Sequence, residues 1–130
     1  MAFNNFTTKS QEALQRAQKL VGDYNHPHMD PLHLMLSLIE QDDGIVMSVF
    51  KKIGLDVSGL QRDVKALLQR VPQTYSPSNV AQMYLTQEMM RVLHQAEQEA
   101  ARLHDEYIST EHLLLALLTV RSRAAELLRH

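Results

Sequence analysis

The chain has 130 residues, 45% of them apolar, and a formal net charge of -2, so it can bury one core and carries no dedicated basic surface for nucleic acid or an anionic membrane. It has no cysteine, which excludes disulfides and thiolate chemistry. The opening residues lack the basic and apolar regions of a signal peptide, and no apolar run approaches the ~20 residues of a membrane span, so a soluble, cytoplasmic domain is expected.

Thr7 or Thr8 caps a first helix reaching about Asp23, with Ala13, Leu14, Ala17, Leu20 and Val21 recurring at three and four. Gly22 and the run Asn25-His26-Pro27-His28 end it. Asp30 then Pro31 is an N-cap followed by proline at the first helical position, opening a second helix to about Gln41 that is apolar on nearly every side. Such a helix cannot lie on a surface and must be covered on several sides, so this helix and its later copy are each expected at the buried centre of a small helical unit. Asp42, Asp43 and Gly44 read as a turn. Ile45, Val46, Val49, Phe50 and Ile53 mark a short third helix closed by Gly54. Asp56 caps a fourth, lined by Leu60, Val64, Leu67, Leu68 and Val71 and stopped by Pro72. Residues 72 to 85 have the composition of an exposed linker.

The pattern then restarts. Thr7, Leu14, Ala17 and His33 become Thr86, Leu93, Ala96 and His112, all at an offset of 79 (112 minus 33). Met89, Leu93, Ala96, Ala100 and Leu103 form the core stripe of a fifth helix, and Ser109 or Thr110 caps a sixth, with Glu111 suited to its positive end. Arg121 to Leu128 is expected to form a seventh, and with no match to residues 56 to 71 after it the second repeat is expected to be a truncated one. The expected fold is all-α: duplicated four-helix units related by a pseudo-twofold axis, with repeat one at 6–71, a linker at 72–85 and repeat two at 86–130. The seam between the units, where the two first-type helices and the segments before the buried helices face each other, is the expected groove.

The runs from Phe6-Thr7-Thr8 to Leu14, from Gly44 to Asp56, and from Asp105-Glu106-Tyr107 to Leu114 resemble the Clp amino-terminal repeat domain over essentially the whole chain. Leu68 to Pro72 and Asp105 to Ser109 look most like its ClpB branch, the Hsp100 disaggregases. The resemblance implies a substrate-binding domain, mounted on a hexameric AAA+ ring, that first captures unfolded or aggregated protein, with Hsp70-system chaperones as further partners of the full-length protein. It implies no cofactor in this domain; ATP and magnesium would belong to AAA+ modules outside it, since no G-x-x-x-x-G-K-[ST] loop is present. In relatives of that branch, a threonine heading the first helix and an acidic pair near the second buried helix matter for substrate handling. They match Thr7, Asp105 and Glu111. Leu14, Met90, Leu93 and His112 are the expected groove lining, and Leu93→Gln is expected to weaken binding without unfolding. In the ClpC branch a Thr-Glu-His run in both repeats supports phosphoarginine recognition; here the first copy reads Asp30-Pro31-Leu32-His33 and departs from it. The alternative is an adaptor-docking domain of the ClpA or ClpC type.

Seven histidines do not make a metal set: His26, His28 and His33 lack the completing ligands of a zinc site. His33 and His112 read as histidines satisfied by their own helix starts. Asp105, Glu111 and His112 lack a nucleophile or phosphate loop, so no catalysis is expected. Met35, Met47 and Met89 read as core filling, whereas Met90 lies off the stripe. Arg121, Arg123 and Arg129 read as a solvated helix face.

Overall fold

The computed structural model describes residues 5–41, 44–73 and 84–129. Its elements are α1 (Thr8–Asp23), β1 (His28–Met29), α2 (Pro31–Glu40), α3 (Ile45–Lys52), α4 (Val57–Arg70), β2 (Tyr84–Leu85), α5 (Gln87–Arg102), α6 (Thr110–Thr119) and α7 (Arg123–Leu128). The expected turn at Asp42 and Asp43 lies outside the described residues, as does most of the expected linker.

Local chemistry sets the helix ends as expected. The Ser10 amide donates to Thr7 Oγ1 at 3.2 Å and the Met89 amide to Thr86 Oγ1 at 3.1 Å, so the two repeats start their first helices alike. Those helices also end alike. Asn25 (φ 55°) and His104 (φ 60°) both turn into the left-handed region, and the next amides, of His26 and Asp105, donate back to the Val21 and Ala100 carbonyls. Asparagine tolerates that conformation better than histidine does. His104→Gly is therefore expected to raise stability by about 0.5–1 kcal/mol in thermal denaturation, while Asn25→Gly should gain less.

The pseudo-twofold relation holds at the level of single hydrogen bonds. Thr7 N–H donates to the Ile108 carbonyl at 3.0 Å, and Thr86 N–H donates to the Met29 carbonyl at 3.0 Å; 7 plus 79 is 86, and 29 plus 79 is 108. Phe6 bridges Ile108, and β1 pairs in parallel with β2, Met29 against Leu85. Each repeat thus lends the residues before its first helix to the segment before the other repeat's second helix. Tyr84 and Leu85, which composition assigns to the linker, belong structurally to this exchange.

The centre of the seam is solid. α2 packs on α6, α1 reaches α6, and α5 reaches α2. The expectation that the two first-type helices face each other across an open groove is corrected: each meets the buried helix of the opposite repeat, because those apolar helices fill the axis. α2 is buried at every residue from Pro31 to Ile39, as expected of a helix apolar all round. α6 is covered only in part. Leu113, Ala116 and Leu117 are buried, but Leu115 is 37% exposed where its equivalent Leu36 is 1% exposed. The difference comes from α4, which lies over α2; among the described residues no helix holds that place over α6.

Candidate functional site

The exchange of strands brings the start of α1 against the start of α6. Thr7 sits there as N-cap of α1, its hydroxyl donating to Ser10 Oγ at 3.0 Å and its amide tied to Ile108. A hollow of about 420 Å³ opens beside it, lined by Thr7, Lys9, Gln41, Ile45, Thr110 and Glu111. A second hollow, of about 400 Å³, continues from Glu111 to Leu103, Asp105, Tyr107, His112 and Leu115. Ser109 and Glu111 border both. The result is one strip along an edge of the seam. Its exposed apolar side chains are Ile45, Leu103, Tyr107 and Leu115, and Asp105, Glu106 and Glu111 are exposed along it.

His112 holds this strip in shape. Its Nδ1 accepts from the Ser109 amide at 2.9 Å, so the ring proton is on Nε2 and is donated to Asp105 Oδ2 at 2.9 Å. The bond fixes the direction of the Asp105 carboxylate, which is otherwise half-exposed. His112 itself is only 5% exposed. It lies at the floor of the hollow, bonded to Asp105.

The same construction recurs in repeat one with a different partner. Asp30 N–H donates to His33 Nδ1 at 2.9 Å, leaving the Nε2 proton to be donated to His26 Nδ1 at 2.8 Å. His26 in turn bonds the Leu68 carbonyl of α4 and stacks on Tyr24. Position 26 plus 79 is 105, so His26 and Asp105 are equivalents. Burial holds both His26 and His33 below the usual histidine range, His33 to about 4. The first copy is thus closed over by α4 and uncharged, and the second is open and acidic.

Of the residues singled out from sequence, Thr7, Asp105, Glu111 and His112 come together. Leu93 does not: at 3% exposure it is part of the core, because the three- and four-residue recurrence that marked it is the recurrence of a buried stripe. Leu14 is partly buried against the same core and lines neither hollow. Met90 is 51% exposed but lies in a separate groove along α5. Ile45, Leu103, Tyr107 and Leu115 were missed as lining. Leu103 is expected on the core stripe of its helix and Ile45 only as one of the apolar residues marking its own, yet Val46 and Phe50 are the buried side of α3, and Leu103 follows the last turn of α5. Only Tyr107 carried a visible signal, a large aromatic flanked by acids ahead of a capped helix. Among the described residues no three His, Asp or Glu side chains converge to hold a metal ion, and no helix is long and apolar enough to cross a membrane.

The family model for the Clp repeat (R) N-terminal domain matches residues 5–130. The chain is 38% identical over 117 residues to chaperone protein ClpB of Bacillus cereus, a match covering 89% of this chain and 14% of that protein. Its fold is similar to the Hsp104 N-terminal domain from Candida albicans, with a TM-score of 0.86 at 21% identity over 97% of this chain and 81% of that one. It is also similar to the N-domain of ClpV in a complex with a VipB peptide, with a TM-score of 0.74 at 21% identity over 95% and 76% of the two chains.

Proposed function

The chain belongs to the Clp repeat N-terminal domain family, and from that premise we propose that it is the substrate-binding domain of a ClpB-type disaggregase, taking unfolded or aggregated segments along the strip between Thr7 and Leu115. The domain is a non-catalytic receptor; ATP hydrolysis belongs to an AAA+ ring elsewhere in a longer protein, in keeping with the small share of the ClpB relative that it spans. The single observation that carries the reading is the run of exposed Ile45, Leu103, Tyr107 and Leu115 beside acidic Asp105 and Glu111 at the junction of the repeats. Exposed apolar area rewards side chains of many sequences at ~25 cal/mol per Å². Ordering an unfolded partner offsets much of that gain, so binding in the micromolar range or weaker is expected, which suits hand-over to a pore. The ClpV N-domain, a neighbour in fold, takes a peptide in its own complex.

An amide-resolved NMR titration with unfolded casein tests this. Thr7, Ile45, Tyr107, Glu111 and Leu115 should shift together; absent shifts, or shifts confined to α7, would sink the reading. The acidic rim should select segments flanked by Lys or Arg. Asp105→Lys combined with Glu111→Lys is expected to weaken a lysine-flanked apolar peptide about three- to tenfold at low salt, with little change for the same peptide flanked by serine, since exposed pairs contribute up to about 1 kcal/mol each.

A further inference from the structure

A second groove lies away from that strip. It runs between the outer face of α5 and the residues after α6, encloses about 720 Å³, and is lined by Met90, Arg91, His94, Gln95, Val120 and Arg121, with Gln87 at its end. Met90 is its exposed apolar floor. Among the described residues no carboxylate lines it, and neither Arg91 nor Arg121 has an ion-pair partner.

The equivalent ledge in repeat one is tied by polar contacts. There Arg16 pairs with Glu40 at 3.0 Å, and Gln41 Nε2 donates to the Lys9 carbonyl at 2.9 Å across the start of α1. The offset of 79 turns Arg16 into Gln95, Glu40 into Thr119 and Gln41 into Val120, so every one of those ties is absent from repeat two. The same offset turns Gln11, Glu12 and Gln15 into Met90, Arg91 and His94. A polar, internally paired ledge has become an apolar floor between cations.

We propose that this groove is a docking site for an acidic protein segment, one that sets a large apolar side chain on Met90 and Val120 and carboxylates on Arg91 and Arg121. Guanidinium groups match carboxylates in two-point geometry, and a thioether adapts to side chains of different shape. The pairs are solvent-exposed, so the contact is weak singly and sensitive to salt. The sign is opposite to that of the first strip, with its Asp105, Glu106 and Glu111. The domain therefore offers two faces that sort partners by charge, and either can fail without the other.

The probe is the peptide Ac-Asp-Glu-Leu-Phe-Glu-Asp-NH2, titrated into the domain and followed by amide shifts. It should move Met90, His94 and Arg121 and leave Tyr107, Glu111 and Leu115 in place. Arg91→Glu combined with Arg121→Glu should reduce its affinity at least about tenfold, while casein binding at the first strip is unchanged. Raising salt from about 50 mM to about 300 mM should weaken the wild-type complex several-fold. Unmoved groove amides, or a double variant that binds the peptide as well as wild type, overturn the proposal. So does an oligothymidine that shifts the same amides as strongly, because the groove would then be reading anionic charge without the apolar residue.

Discussion

Between pH 6.5 and pH 4.5 the domain is expected to lose roughly 2 to 3 kcal/mol of stability, and His33 is the main cause. His33 is buried and bonded at both ring nitrogens, as acceptor from Asp30 and donor to His26. A second proton on His33 would have to displace the Asp30 amide, and a proton on His26 Nδ1 would confront the His33 N–H. Burial is the largest influence on both, and charge on His26 would lower His33 further. The folded value of His33 is about 4 against 6.5 for the unfolded chain. Below pH 6.5 the unfolded state therefore binds protons that the folded state refuses, and stability, complete above 6.5, drains away as pH falls toward 4. The charged groups packed around the pair modify this. Arg123 of α7, 3.9 Å from Asp30, adds to the depression. Asp30 has the opposite sign: burial raises its pKa, so it regains some stability near the acid end. His33→Gln isolates the cause, because glutamine is accepted at the same capping-box position and does not titrate. Urea denaturation across this range should show a slope for the wild type at least twice that of the variant. Equal slopes would mean that ordinary carboxylates set the acid limit.

The duplication was legible because it is written in residues whose chemistry is local. Thr7 and Thr86 cap, Asp30-Pro31 and Ser109-Thr110 open the next helices, and each of these acts within one turn of itself. α2 was legible for a related reason: a helix apolar on every side has only one place to go. What the chain does not display is coverage. α2 and α6 read alike in sequence, yet one is sheathed by α4 and the other is not, so the exposure of Leu115 depends on a helix distant in the chain. The strand exchange was illegible because two-residue strands such as β1 and β2 carry no period to detect.

The candidate strip shows the same division. Thr7, Asp105 and Glu111, which line the hollows, were singled out through resemblance and a recognisable helix start. Leu93 was misplaced because periodicity identifies the side of a helix that meets something, without saying whether that something is core or partner. His26 hid its relation to Asp105 for another reason. The two residues differ in type, and only the shared geometry around His33 and His112 reveals them as one position put to two uses.

Leu93→Gln, expected on sequence grounds to weaken binding without unfolding, is now expected to lower stability by about 3 to 5 kcal/mol. The side chain packs in the core beside Met89, Val92 and Ala96 of its own helix stripe. Removing its methyl groups costs about what a buried leucine truncation costs, and the amide would be buried with no partner arranged for it. For a domain of this length that is a fall in melting temperature of roughly 10 to 20 °C. Met90→Gln supplies the comparison one residue along the helix. Met90 is half-exposed, so the same polar group stays in water and stability should change by no more than about 0.5 kcal/mol. Thermal denaturation of the two variants side by side checks both. If Leu93→Gln melted with the wild type while losing casein binding, Leu93 would be a surface residue and the packing of α5 on α6 would have to be redrawn.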